Sequence, residues 1–211
     1  MRSGRHAMRK LIVSNITSLD GYYVTGPDWP FEIMDEAFDA YNAERLRAAG
    51  TLLLGRTSYD GFKDFWPHAA DDPNLTSVLP PARLDIVREI SRLNNPMDKA
   101  VISDSLTAEQ TGPWRDTTRI IRRADAHEQI AALKRQDGNE ILVFGSHTLW
   151  NDLLAHDLVD ELHLMIGPIV LGAGTPVFDS PPPVSLRLIE TRTWDGSGNV
   201  LLRYDVRRQG T

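Results

Sequence analysis

The tightest constraint on this chain is an alternation of two kinds of segment. Short apolar runs such as TLLLG at 51–55, AVI at 100–102, RII at 119–121 and EILVF at 140–144 are separated by stretches with helical spacing. Apolar runs that lack polar alternation suit strands buried on both faces of a parallel sheet. A further strand is expected at 9–17 and another at 158–166. Met34, Ala37, Phe38, Tyr41 and Ala48 predict a helix over 32–49. Glu32, Asp35, Glu36 and Asp39 crowd its start, Arg45 and Arg47 sit near its end, and Gly50 terminates it, which is the order a helix dipole favours. A second helix is expected from Arg56 toward Asp64, and a third over 82–93, where Ile86, Val87, Ile90 and Leu93 share a side. Asp125 with Glu128 predicts a capping box for a helix reaching Lys134, and Leu149, Trp150, Leu153 and Leu154 predict the last helix. Residues 65–81, with Pro67, Pro73, Pro80 and Pro81, read as a long irregular loop. At the end of the chain the pattern changes: 186–194 and 199–206 flank Asp195-Gly196-Ser197-Gly198, an antiparallel hairpin.

The expectation is one α/β domain over 9–206, with a mixed, mostly parallel sheet, helices on both faces and a C-terminal antiparallel hairpin. Residues 1–8 and 207–211 are expected to be flexible tails. A chain of 211 residues with 41% hydrophobic and 25% charged side chains has the composition of a self-supporting globular core. Twenty-nine acidic against 23 basic side chains leave a charge of −6, which gives no general attraction to nucleic acid or anionic lipid. The absence of cysteine removes disulfides, thiolate nucleophiles and thiolate-held metals. The apolar stretch after the basic MRSGRHAMRK is broken by Asn15, Thr17, Ser18 and Asp20, so it does not read as a signal peptide. No apolar run is long enough to span a bilayer. The expected setting is cytoplasmic, with neither nucleic acid nor membrane as partner.

Two places join the end of an apolar strand, a glycine and a helix start: Leu54-Gly55-Arg56-Thr57-Ser58 and Phe144-Gly145-Ser146. In open α/β sheets ligands bind at the carboxyl ends of strands, and the N–H groups of a helix start attract phosphate. Arg56 would add a rigid fork of donors. Both glycines are equally compatible with simple chain turning. The G-x-G-x-x-G fingerprint is absent; the segment from Gly167 to Gly174 carries Pro168 where backbone freedom is required and reads as a tight connection. The histidines at 6, 68, 127, 147, 156 and 163 contain no H-E-x-x-H and no pair three or four residues apart, so no metal site is expected. No G-x-S-x-G elbow points to a hydrolase. Candidate acids are Asp20 at a turn and Glu32 and Asp35 at a helix start. Tyr22, Trp29, Phe31 and Trp66 are candidate stacking surfaces for a flat ligand, or core packing.

In order and spacing these elements resemble the dihydrofolate reductase-like superfamily, in the branch of the riboflavin-biosynthesis reductase C-terminal domain. The elements are Ser18-Leu19-Asp20-Gly21, Leu54-Gly55-Arg56-Thr57-Ser58-Tyr59, Val101-Ile102-Ser103, Leu142 to Ser146 and Pro168 to Pro176, together covering nearly the whole chain. The resemblance implies NADPH, with NADH possible, lying across the carboxyl edge of the sheet. It implies that Gly55, Arg56 and Ser58 hold phosphate, that Ser103 lies near the adenosine ribose, and that Gly145, Ser146, His147 and Thr148 line the pyrophosphate and nicotinamide side. It places Asp20 at the mouth of a substrate pocket, with Trp66, Tyr22 and the helix near Asp35 around it. Asp20 and Asp35 are then the candidate catalytic acids, and a homodimer is compatible with the likeness. Three departures bear on function: Ser58 stands where relatives often have threonine, Ser146 replaces the second glycine of a Gly-Gly pair, and Asp104 stands where relatives commonly place arginine toward a 2′-phosphate, with Arg122 or Arg123 on the next strand as candidates to compensate. The expected activity is NAD(P)H-dependent reduction of a small heterocyclic or carbonyl substrate. A non-catalytic nucleotide- or heterocycle-binding protein that keeps the fold is the alternative.

Overall fold

A computed structural model describes residues 8–23, 33–180 and 184–208. The proposed N-terminal tail up to residue 7, Trp29, Phe31 and Glu32 lie outside the described residues, as do 209–211. In chain order the elements are β1 (Leu11–Thr17), β2 (Tyr22–Tyr23), α1 (Glu36–Ala48), β3 (Ala49–Gly55), α2 (Arg56–Ala69), α3 (Pro73–Val78), α4 (Pro81–Asn94) and β4 (Asp98–Ile102). Then follow β5 (Thr118–Ile121), α5 (Ala126–Lys134), β6 (Glu140–Phe144), α6 (His147–Ala155), β7 (Glu161–Ile166), β8 (Thr175–Pro176), β9 (Val184–Thr193) and β10 (Val200–Arg208).

The sheet runs β5-β4-β3-β6-β1-β7-β10-β9, with β2 and β8 attached beside β1. All neighbours from β5 to β7 are parallel, while β10 is antiparallel to β7 and β9 to β10. Strand parity divides the core into two layers. Leu11, Val13, Ile141 and Val143 face α5 and α6, where they meet Ile130, Trp150 and Leu153. Ile12, Leu142 and Phe144 point the other way, onto α1, α2 and α4 through Leu46, Tyr59 and Ile90. Helices therefore cover both faces, and the hairpin closes one side as expected. β10 continues to Arg208, past the domain end placed at 206. Among the described residues no helix is long and apolar enough to cross a membrane.

Three local expectations are corrected. Residues 65–81 are mostly helical: α2 continues to Ala69 with Pro67 in its last turn, and α3 and α4 follow at once. Pro73 and Pro81 occupy first helical positions, where a missing N–H costs nothing and a fixed φ helps. These prolines start helices. Asp125 does not form a capping box, because a 3-10 turn at Arg123–Asp125 already holds it in helical backbone and its side chain caps nothing. Gly50 ends no helix. α1 passes directly into β3, and Gly50 is a strand residue whose missing Cβ makes room for Asn139.

Candidate active site

Parallel strands deliver their carboxyl ends to one edge of the sheet, so β3 and β6, which are neighbours, bring both strand–Gly–helix turns together. The two turns are fastened to each other by serines. Ser146 donates its backbone N–H to Ser58 Oγ at 2.8 Å, and Gly55 donates its N–H to Ser146 Oγ at 3.0 Å. The Ser146 hydroxyl donates in turn to the Phe144 carbonyl. Asn15, from the adjacent β1, holds the Gly145 peptide on both sides: its Oδ1 accepts from Gly145 N–H at 2.8 Å, and its Nδ2 donates to the Gly145 carbonyl at 3.3 Å.

This clamp explains the serine at the second glycine position. Gly145 and Ser146 are both left-handed, with φ of 56° and 54°. For serine that conformation costs about 1–2 kcal/mol, offset here by the three hydrogen bonds its hydroxyl and amide make. Gly145 has no such option. A Cβ there would sit 2.8 Å from Ser58 Oγ.

Above the clamp lies a cleft of about 610 Å³. Gly55, Arg56, Ser58, Ser146, His147 and Thr148 line it. Neither α2 nor α6 has a side-chain cap, and helix geometry leaves the first-turn N–H groups without intrahelical acceptors. Two positive helix ends therefore face one cleft. Arg56 is not a free fork: its Nε is 2.5 Å from Asp60 Oδ2. His147 is anchored by its Nε2 to the Pro176 carbonyl at 2.8 Å and packs beside Tyr23.

The remaining expected residues lie elsewhere on the edge or away from it. Gly145 acts beneath the cleft. Ser103 is buried, and its hydroxyl accepts from Ser105 and Leu106 N–H, capping the turn after β4. Asp20 is exposed, and its carboxylate accepts from Leu171 and Gly172 N–H at 3.1 and 2.7 Å. The Ser18 hydroxyl and these amides hold it below the usual carboxylate range, which suits a loop anchor better than a proton donor. Asp35 is the N-cap of α1, accepting from Phe38 N–H and bonded to Ser197 and Asn199. Tyr22 lies against Gly174, and Trp66 is ten residues, about 15 Å, down α2 from Arg56, packed on the core between Phe62 and Phe65. The structure does not bring Trp66 to the cleft.

Tyr23 and His127 line the cleft without having been singled out from the sequence, and of the two arginines offered against Asp104 it is Arg123 that lines the cleft. Tyr23 was readable in principle: consecutive strand residues face opposite ways, so only one of Tyr22 and Tyr23 could reach the cleft. Burial pushes the Tyr23 hydroxyl up to about 12, so it stays protonated as a donor. Arg123 answers the anomaly of Asp104. Its backbone N–H donates to Asp104 Oδ1 at 3.0 Å, its guanidinium lies 3.7 Å from Oδ2, and Arg122 reaches the Asp104 carbonyl. One acid is thus set against two cations.

A second hollow of about 650 Å³ lies at the opposite, amino edge, around Arg9, Thr51 and Lys99. Its cations are already satisfied: Lys99 donates to the carbonyls of Asn94, Asn95 and Met97, and Arg9 to Asn139 and Thr51. Among the described residues no helix start opens into it, so the carboxyl-edge cleft is the better candidate.

The chain is 29% identical over 201 residues to YyaP, an uncharacterised protein of Bacillus subtilis (strain 168), covering 93% of this chain and 94% of that protein. Among solved structures it is similar to a pyrimidine reductase-like protein of Corynebacterium diphtheriae, with 17% identity, a TM-score of 0.57, and 95% and 93% of the two chains covered. It also resembles dihydrofolate reductase of Enterococcus faecalis complexed with NADP(H), with 12% identity, a TM-score of 0.56, and 93% and 96% covered. Residues 9–202 match the RibD C-terminal domain family. The chain belongs to the RibD C-terminal domain family, and its fold is similar to that of dihydrofolate reductase.

Proposed function

We propose that this protein is an NAD(P)H-dependent reductase acting on a small heterocyclic or carbonyl substrate. The observation that carries the reading is the pair of uncapped helix starts, α2 and α6, opening side by side into one cleft at the carboxyl edge. That donor set fits a pyrophosphate: it offers backbone N–H groups and helix dipoles from two directions, with the Ser58–Ser146 clamp fixing their separation. A bound nicotinamide dinucleotide would supply the hydride. The protein's part is to bind, orient and exclude water.

Tyr23, protonated throughout the physiological range, is placed to donate a hydrogen bond to a ligand oxygen at the cleft wall. Arg123, opposite Asp104, favours a 2′-phosphate and hence NADPH over NADH. Asp20 and Asp35 are each consumed by neighbouring donors, and the proposal assigns neither as the proton donor.

Nicotinamide fluorescence during titration provides the test. NADPH is expected to bind with a Kd below about 1 mM, and Arg123→Ala to weaken NADPH while leaving NADH unchanged. Thr148→Asp sets a negative charge on an exposed position in the first turn of α6. It should keep the fold and cost at least about tenfold in affinity for either dinucleotide, by repulsion of phosphate. No saturable binding of either dinucleotide would overturn the reading. Binding without turnover of any carbonyl or heterocycle would favour the non-catalytic alternative, for which fold alone leaves room.

A further inference from the structure

We propose that His127, Asp152 and His156 form a binding site for a divalent transition-metal ion of the zinc type, on the rim of the cleft. Asp152 and His156 are one helical turn apart at the end of α6, and so share a face. His127 arrives from the first turn of α5, so the ligand set joins two helices that pack on the same side of the sheet. One ligand atom from each of the three residues lies within 4.8 Å of the others. His127 Nε2 is 2.7 Å from Asp152 Oδ2, and His156 Nδ1 is 3.3 Å from Asp152 Oδ1. The two imidazole rings stack with centroids 3.9 Å apart.

Ligand atoms bound at about 2.0–2.2 Å to a tetrahedral ion stand roughly 3.4 Å from one another, close to the existing spacing. Binding requires His156 to release its Nδ1 from the Asp152 carbonyl, now at 2.8 Å, and the stacked rings to turn toward one ion. Two imidazoles and one carboxylate suit zinc and its borderline neighbours, while magnesium and calcium prefer oxygen donors. All three side chains are about half exposed, so an ion can reach them without unfolding. Three protein ligands leave a further coordination position open to water or to a ligand oxygen. His127 and Asp152 themselves line the cleft, so that position belongs to its rim. The site does not depend on which molecule the cleft takes.

Chelator-stripped protein titrated with zinc chloride against a chromophoric chelator is expected to take up one equivalent, with cobalt giving the absorption of a low-coordinate N/O site. His127→Ala, Asp152→Ala and His156→Ala should each weaken that binding at least tenfold, and the milder His127→Gln should do the same. His68→Ala, an exposed histidine elsewhere, should leave it unchanged. Absence of saturable uptake by the unmodified protein, or survival of its affinity in the triple alanine variant, would overturn the site. Thermal unfolding of each variant separates loss of ligands from loss of fold.

Discussion

Glu161→Gln is expected to destabilise the protein by about 3 kcal/mol, lowering Tm by roughly 6–12 °C for a chain of this size. Glu161 is 5% exposed at the start of β7, yet three donors converge on it. Lys10 Nζ lies at 2.5 Å, His163 Nε2 at 2.9 Å and an Arg203 guanidinium nitrogen at 3.1 Å. With the Nε2 proton directed at the carboxylate, His163 Nδ1 accepts from the Tyr41 hydroxyl at 2.7 Å, which links α1 to the sheet. Removing the negative charge leaves a mostly buried guanidinium with less compensation. The loss stays at the low end of the range for broken buried pairs because Arg203 keeps Glu190 and Lys10 is largely in solvent. Chemical denaturation at neutral pH reads this directly. A change below 1 kcal/mol would show that the cluster contributes little.

The same group sets an acid limit. The His163 hydrogen bond, with those of Lys10 and Arg203, holds Glu161 far below the usual carboxylate range. Its contribution is full above the unfolded value near 4.3 and is lost as pH falls below that toward the folded value. Burial depresses His163, so the unfolded chain takes up a proton near 6.5 before the folded one does. Both effects lower stability in acid, His163 beginning below about 6.5 and Glu161 below about 4.3. Glu161→Gln should therefore flatten the lower limb of the stability–pH curve. Parallel curves for variant and parent below that point would refute the assignment.

Gly145→Val carries the second large effect: a loss of about 2–3 kcal/mol in stability, with dinucleotide affinity reduced about tenfold or more. The φ of +56° is unfavourable for any β-branched residue, and a Cβ would lie 2.8 Å from Ser58 Oγ and 3.3 Å from the Tyr23 hydroxyl. Ser58 cannot yield without releasing the Ser146 N–H, and with it the spacing of the two helix starts. Gly21→Ala separates the two causes. Gly21 has φ +81° but open space around its missing Cβ, so it should show only the backbone cost, about 1 kcal/mol. Equal losses at the two positions would mean that contact with Ser58 contributes nothing.

Much of the fold was legible because its signals are local. Within 51–55 and 140–144, Leu52 to Leu54 and Ile141 to Phe144 are apolar on both strand faces, which suits short strands covered on both sides, and these became β3 and β6. Residues 65–81 were misread because proline was taken as a loop former. At Pro73 and Pro81 the same ring is a helix starter, and the choice depends on the helix that follows.

The candidate site divides along the same line. By itself the sequence determined where two glycines end two strands, since strand, glycine and helix start adjoin along the chain. Only the tertiary structure decided that β3 and β6 are neighbours, so that Ser58 and Ser146 fasten one turn to the other. It also decided that Asn15, 130 residues away, holds Gly145, that Arg123 sits over Asp104, and that His127 meets Asp152 and His156. Spacing within one element fixes which side chains share a face. Which faces meet is fixed by how the buried layers pack, and no local pattern records that.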